Sequence, residues 1–542
     1  MSLPDDISNI VTQMKTQAST TLGWDVVVNY NEAELNKLLT IAYNEDSTGR
    51  RSIKKIDCAL TATDDKTGED YTINYTFNLG SPLIKFIPTY IKPVCSLAIP
   101  ILGGTAKSDN ISQIIGERIY TLTLNNLELA TAKGEVSSSE ETLFSEEDAT
   151  PYHEPFVFSE NSEGRGAVFI NFEASKDLAI ELTFTGPVKC PKGSQDPGCK
   201  GRASFVDNHL GDLKDSIRNK FLSEPEYKNV QYELARANNS KPAGGAFQLV
   251  PKSFMFATYT PDNDSDGGTV LSLFIRTGDT DGGQKPHLNS AWDTLWSTTL
   301  KCLPIPPGKT VSIILSKNTI FNSMIEPGLK KQGYSSRLED TKGSIQIQVN
   351  TGKKINEPEN IVSSGSLGTI LTECRNTAIN IVLPDLQLVL EQKPSNNKPY
   401  CSGSWAYKYS FSWYMKTQGI GPEGTVNVEN TLAEDSFPIE LDNNYTLKMT
   451  FQVRREKWEV KTTAADKTFW EKWNGGVEIT PSWVSSMNAN HPKMDIDMGS
   501  LNFFVTTNLL LPSREVIDID TSLGVQVPGD FYIVGNVKKS LK

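Results

Sequence analysis

Gly499-Ser-Leu-Asn-Phe-Phe-Val-Thr-Thr-Asn-Leu-Leu-Leu-Pro-Ser-Arg-Glu-Val-Ile-Asp-Ile-Asp520, running on to Leu523-Gly-Val-Gln-Val-Pro-Gly-Asp-Phe-Tyr-Ile-Val-Gly-Asn-Val537, is the stretch on which the reading turns. Phe503 to Leu511 is apolar and rich in Thr and Asn, and it stops at Pro512. Val516 to Ile519 is short and β-branched, Pro528-Gly529-Asp530 is a turn signal, and Phe531 to Val537 reads as a last strand. No nucleophile–base pair and no metal-ligand set lies in it. Its physics is that of an apolar structural closure.

Outward from this closure the chain is a series of amphipathic strands. Tyr71, Ile73, Tyr75, Phe77 and Leu79 alternate with Thr and Asn, the period of two that buries one face and wets the other. Nine such residues span about 30 Å, long for a globular strand. Further alternations fall at Thr121 to Ala130, Ile345/Ile347/Val349, Tyr407/Tyr409/Phe411/Trp413 and Tyr445/Leu447/Met449/Phe451/Val453. Val168 to Phe172 and Ile180 to Phe184 read as strands, and Phe254 to Tyr259 with Val270 to Ile275 as a hairpin. Leu97-Ala-Ile-Pro-Ile-Leu-Gly-Gly104 is a short apolar segment ended by glycines, and residues 131–166, acidic and serine-rich, read as a loop.

Helices are few. Residues 1–20 are polar and read as a frayed lead-in. Trp24 to Tyr30 is a strand, and Asn31 caps the helix after it, with Glu34 placed as in a capping box. Leu35, Leu38, Leu39 and Ala42 form its buried stripe. Val311 to Leu315, followed by Ile320, Phe321, Met324, Ile325 and Leu329, repeats this strand-then-helix plan, with Pro327 expected to kink or end the second helix. His209 to Leu222 is a third helix, with Leu210, Leu213, Ile217 and Phe221 on one face. The weak repeat places a module boundary near 310, giving modules 1–310 and 311–542, with strands 499–537 placed to pack back on the first. The expected class is mainly β with a few helices (α+β), elongated, with long curved antiparallel sheets wrapped around helices.

The formal net charge of −12 opposes binding to nucleic acid or an anionic membrane. No window reaches the roughly 18 apolar residues of a membrane-spanning helix. Met-Ser-Leu-Pro-Asp-Asp at the start lacks a basic then apolar leader. Seven cysteines, odd in number and scattered, do not make a disulfide scaffold. The expectation is cytoplasmic synthesis without a conventional signal peptide, any release following a non-classical route.

Each motif with catalytic or metal potential lacks a member. Asp262-Asn-Asp-Ser-Asp-Gly267 begins like a calcium loop, but the twelfth position is Leu273 and the flanks are strands, so a solvated hairpin tip is expected. Gly308-Lys309-Thr310 ends like a phosphate loop, yet Pro304, Pro306 and Pro307 offer no N–H, so nucleotide binding is rejected. Cys190 and Cys199 have no second pair at zinc spacing. His153, His209, His287 and His491 are far apart in sequence and read as surface or loop residues. Trp458, Trp470, Trp473 and Trp483 read as core filling between sheets, with an aromatic contact surface as the alternative. No enzyme, cofactor or metal is expected.

The two ends of the chain carry a resemblance. Gly23-Trp24-Asp25-Val26-Val27 with Leu35-Asn36-Lys37-Leu38-Leu39, and Thr506-Thr507-Asn508-Leu509-Leu510 with Val525-Gln526-Val527-Pro528-Gly529-Asp530 and Ile533-Val534-Gly535-Asn536-Val537, are similar to the opening and closing signatures of the clostridial neurotoxin-cluster accessory proteins. These are the OrfX family and its forty-seven-kilodalton relative, within the tubular lipid-binding (TULIP) proteins. The resemblance implies a TULIP-type fold, lipid or phosphoinositide binding and toxin-cluster partners, with no catalytic motif to transfer. The candidate lipid-groove residues are Leu35, Leu38, Tyr75, Phe77, Phe321, Met324, Met449 and Phe451. The same residues also suit a filled core in a structural subunit of a toxin complex, and both readings stand at this point.

Overall fold

The computed structural model describes residues 4–46, 52–64, 66–87, 92–109, 111–134, 149–159, 164–184, 204–228, 230, 232–239, 247–261, 268–278, 282–352, 354–357, 360–367, 370–376, 379–392, 399–417, 423–432, 435–441, 446–452, 456–464, 495–502, 509–510 and 516–538. Within some of the later strands the backbone alone is described. The protein is mainly β, with a curled antiparallel sheet that forms a half-barrel.

The two strand–helix units meet at a central sheet. Strand Val26–Asn31 pairs antiparallel with strand Val311–Leu315, Val26 opposite Leu315 and Tyr30 opposite Val311. Strands Val270–Arg276, Ser253–Tyr259 and Phe156–Val157 extend the sheet on one side; Phe531–Lys538 and Val516–Ile519 extend it on the other. Because the two central strands are antiparallel, the helices that follow them leave from opposite ends of the sheet. The apolar run Phe531 to Val534 thus closes the centre of the molecule, against Ser312 to Leu315.

Both faces of this sheet are covered. Alternation sends Val26, Val28 and Tyr30 inward, with Leu271, Leu273, Ile275, Val311, Ile313 and Leu315, to join the main core. Val27, Phe274, Ile314, Tyr532 and Val534 face an outer layer built from helix Asp5–Met14 and the helical segment 291–300. Residues 1–20 are therefore not a frayed lead-in as expected. Ile7, Ile10, Val11 and Met14 make an i, i+3, i+4, i+7 stripe that is buried against the sheet. A polar belt crosses this outer face: Ser272 Oγ donates to Asn29 Oδ1 (2.7 Å), Asn29 Nδ2 to Ser312 Oγ (3.0 Å) and Trp292 Nε1 to Ser272 Oγ (3.0 Å).

The first helix, Glu32–Glu45, starts where Asn31 Oδ1 accepts from Ala33 N at 2.8 Å. The reciprocal half of the expected capping box is not made, since Glu34 pairs with Lys37 at 2.8 Å. Asn36 joins the helix to strand Leu83–Ile87, accepting from Ile84 N (2.6 Å) and donating to Ile84 O (2.9 Å). Beneath it lies the curled sheet, whose order begins Lys55–Thr63, Asp70–Leu79, Val94–Ser108, Tyr120–Gly134. Gly103 and Gly104 do not end the third of these strands, contrary to the sequence reading. They mark a register shift against Asn78 and Leu79, and a Cβ on Gly104 would stand 1.9 Å from Thr76 O, so only glycine fits the close approach.

Strand also replaces part of the loop expected over 131–166. Tyr120–Gly134 runs through its start, and short strands Thr150–Pro151 and Phe156–Val157 follow, while 135–148 and 160–163 lie outside the described residues.

The second helix spans 317–331 and does not end at Pro327. It widens to π geometry over Phe321–Ile325, where Glu326 N donates back to Phe321 O. A five-residue step carries the hydrogen bonding past a proline that has no N–H, so the helix absorbs Pro327. This helix packs on strands Ser335–Glu339 and Asp495–Asn502. The C-terminal strands return to the early ones: Leu509–Leu510 pairs with Glu233–Asn238, and Asp495–Asn502 with Phe247–Gln248.

Candidate functional site

The interior of the curled sheet is an extended apolar surface within the main core. Ile73, Tyr75, Phe77 and Leu79 point into it from one strand, Leu97, Ile99 and Ile101 from the next, and Leu122 and Leu124 from the third. The wet face of strand Asp70–Leu79 carries Thr72, Asn74, Thr76 and Asn78, as the alternation requires. Tyr75 and Phe77 stack with centroids 6.0 Å apart.

Among the described residues the sheet does not close on itself by strand pairing. At the level of Tyr120 to Asn125 its described edges are strand Lys55–Thr63 and strand Ala179–Phe184, and helix Leu210–Ser223 packs on both. Leu213, Ile217 and Phe221 form the helix's buried face, as their spacing predicts; Leu210, placed on the same face, is only half-buried. Arg218 ties the helix to one edge, donating from Nε to Leu178 O (2.7 Å) and from Nη2 to Lys176 O (3.2 Å). At the other edge the Ser216 hydroxyl lies beside the Cys58 thiol, which burial pushes up to about 12. The tyrosines of the sheet hold the segment that precedes the helix: Tyr75 donates to Phe205 O (2.9 Å) and Tyr120 to Asp207 Oδ1 (3.1 Å). A helix held by its apolar face and a few side-chain bonds thus stands where a barrel would have a strand ladder.

Leu35, Leu38, Tyr75, Phe77, Phe321, Met324 and Met449 all belong to one contiguous core, none more than 6% exposed. Phe451 lies in strand Thr446–Gln452, opposite Ile496, and its side chain is outside the described residues. Leu35, Leu38, Tyr75 and Phe77 belong to the first helix and its curled sheet. Phe321, Met324 and Met449 belong to the second helix and the four-stranded sheet that contains strand Thr446–Gln452.

The part of the C-terminal signature from Val525 to Val537 is a junction, while Thr506, Thr507 and Asn508 lie outside the described residues. Asp530 is 3% exposed; its Oδ2 accepts from Thr20 N (2.6 Å) and Thr20 Oγ1 (3.0 Å), and its Oδ1 from Lys317 N (3.0 Å). Burial raises its pKa, partly offset by these donors and the Lys317 charge. Gln526 accepts from Gln392 Nε2 (2.6 Å), and Gln392 Oε1 from Val527 N (3.0 Å). Asp25, from the opening signature, receives Thr277 N (2.6 Å), Gly278 N (2.9 Å) and Thr319 Oγ1 (2.9 Å). The two ends that carry the resemblance thus converge on the start of the second helix. The convergence spans more than 500 residues of chain, and local periodicity gives no signal for it.

The remaining motifs take structural places. Lys309 pairs with Asp520 at 2.6 Å, and although burial opposes it, hydrogen bonds from Lys309 and Ser522 hold that carboxylate low. His153 and His287, far apart in sequence, both stand against Tyr152, with ring centroids 5.3 and 5.1 Å away. Among the described residues no group of three or more His, Cys, Asp or Glu is arranged to hold a metal ion, and no helix is long and apolar enough to cross a membrane. The candidate calcium loop 262–267, the pair Cys190 and Cys199, His491, the side chain of Trp458, and Trp470, Trp473 and Trp483 lie outside the described residues.

Fold and site together define a β-rich protein with an apolar interior wrapped around helices. No family model matches the chain, and no curated protein matches it. Among solved structures it is similar to P47 from Clostridium botulinum A2, with 13% identity over 95% of this chain and 98% of that one, at a TM-score of 0.43. Similarity to P47 of Clostridium botulinum E1 has 14% identity over 95% and 99%, at 0.43. A lipopolysaccharide binding protein is similar with 10% identity over 95% and 99%, at 0.22. At these scores the likeness transfers no residue role to this chain.

Proposed function

We propose that this is a non-enzymatic lipid-binding protein of TULIP type, which takes acyl chains into the interior of the curled sheet. The observation that carries this reading is the helix Leu210–Ser223, bridging two sheet edges that no described strand pairing joins. An apolar interior sealed by a strand ladder opens only by unfolding. One sealed by a helix opens without breaking a strand ladder, at the cost of exposing Leu213, Ile217 and Phe221 and of breaking a few side-chain hydrogen bonds, each bond worth about 0.5–1.5 kcal/mol net. Acyl chains repay that cost at about 0.8 kcal/mol for each buried methylene. The resemblance of both chain ends to toxin-cluster accessory proteins supports the same reading and supplies the expected setting, among other toxin-cluster proteins.

The tight aromatic packing of Tyr75 on Phe77, and of Phe172 on Phe221 and Tyr232, favours a second reading: a filled core in a structural subunit of a toxin complex. Native mass spectrometry of the protein purified from cells separates the two. Co-purified lipid, lost on delipidation and regained from phospholipid vesicles, is the expected result. A clean apo mass that vesicles do not change selects the filled core.

A further inference from the structure

The inward face of the central sheet carries a hydroxyl that nothing among the described residues satisfies. Tyr30 shares this face with Val26, Val28, Leu271, Leu273, Val311 and Ile313, and it is wholly buried. Among the described residues its hydroxyl has no hydrogen-bond partner. The other fully buried tyrosines of this core are served: Tyr75 by Phe205 O, Tyr120 by Asp207, and Tyr232 by Ile53 N. A buried hydroxyl without a partner is costly, and phenylalanine would fill the same shape without that cost. Trp296 Nε1, in the outer layer, is also unpaired, but an indole has no apolar isostere among the amino acids, so its nitrogen comes with its ring.

The chemistry of the missing partner follows from the surroundings. Burial holds the Tyr30 phenol protonated far above neutral pH, so it is a donor in need of an acceptor. Its neighbours on this face are apolar, so a charged acceptor would lie unpaired and a neutral one fits. Residue 30 also stands at the end of its strand, one position before the Asn31 cap of the first helix. We infer that the Tyr30 hydroxyl is the polar anchor of the bound lipid, donating to the carbonyl oxygen of an acyl ester. This inference rests on the lipid-binding reading and adds a specificity to it, for ester-linked over ether-linked chains.

The test compares wild type with Tyr30→Phe, using diacyl and dialkyl-ether phosphatidylcholine of the same chain length supplied in vesicles. Wild type should retain the diacyl lipid about three- to tenfold better, the worth of one net hydrogen bond. Tyr30→Phe should bind both lipids equally, at the wild-type level for the ether lipid, and its lipid-free form should unfold no earlier than wild type. If wild type binds both lipids equally and the variant is unchanged, the anchor is wrong while lipid binding stands. If wild type takes up neither lipid, the lipid-binding reading fails and the anchor with it.

Discussion

The two strand–helix units occupy matching places on either side of one antiparallel pair, yet they are held by different means. The first helix is regular, begins at the exposed Asn31 cap and buries Leu35, Leu38 and Leu39. The second breaks into π geometry before Pro327 and begins in a junction of the buried Ser316 and Asp530 with the half-buried Asp25. The first lies over a sheet whose edges are bridged by a helix, whereas the second packs on strand Ser335–Glu339, which follows it directly, and on strand Asp495–Asn502, which returns from late in the chain. A repeated local pattern therefore sets where a helix goes, and long-range contacts set how firmly it stays. The second unit is the clasp of the molecule, and on the lipid-binding reading proposed above the first is the side that opens.

Removing the clasp should have the largest effect. Asp530→Ala strands the N–H groups of Thr20 and Lys317 and the Thr20 hydroxyl in a site closed to water. Urea unfolding should show a loss of about 3–5 kcal/mol, from more than one unsatisfied buried donor. The pH dependence has a definite sign. The folded value of Asp530 is raised, so its contribution to stability is greatest below the ordinary carboxylate range and declines as pH rises through the raised value. Asp530→Asn should abolish that decline; an unchanged slope would locate the titration elsewhere.

Packing comes next. In the lipid-free protein Phe77→Ala should cost about 3–5 kcal/mol and Met324→Ala about 2–5 kcal/mol, by lost transfer energy plus a cavity. Added phospholipid should restore much of the first loss and little of the second, because on the lipid-binding reading acyl chains enter on the Phe77 side. Thermal unfolding with and without vesicles reads this directly. Equal losses that lipid leaves untouched would favour the filled core.

Much of this was legible in the chain, for identifiable reasons. The alternation from Tyr71 to Leu79 announces a strand and its buried face, and Leu213, Ile217 and Phe221 announce a helix. Pairing partners were not legible, because the register of Val26 with Leu315 depends on a contact across more than half the length of the chain. The stripe Ile7, Ile10, Val11 and Met14 was present but diluted by polar neighbours, and Gly103-Gly104 has the same composition whether it ends a strand or bends one. For the candidate site, alternation revealed that Tyr75 and Phe77 are buried. It could not reveal that a helix closes the sheet above them, which is what bears on function.

That closure can be locked. Ser216→Cys places a thiol beside the native Cys58, bridging helix Leu210–Ser223 to strand Lys55–Thr63. Oxidation should slow uptake of a fluorescent phospholipid at least about tenfold while changing stability little, and reduction should restore it. Uptake at the wild-type rate by the oxidised variant, with the disulfide confirmed by mass, would place the lipid's route elsewhere.

The smallest effects should fall at the two helix caps, where burial alone separates them. Asn31 Oδ1 accepts from Ala33 N at the exposed start of the first helix, so when Asn31→Ala removes the acceptor, water takes its place. The expected loss is about 0.5–1 kcal/mol, the low end of the capping range. Ser316 Oγ accepts from Thr319 N at 3.1 Å, with Ser316 6% and Thr319 4% exposed. Water has no access there, and Ser316→Ala leaves a buried N–H unpaired, so the loss should reach about 1–2 kcal/mol. Substitution of Asn31 by Ser, which caps equally well, should be close to neutral. Equilibrium unfolding of the three variants measures the difference between the units at a single hydrogen bond. If Asn31→Ala costs as much as Ser316→Ala, the first unit is held as rigidly as the second, and the contrast between a clasp and an opening side does not hold.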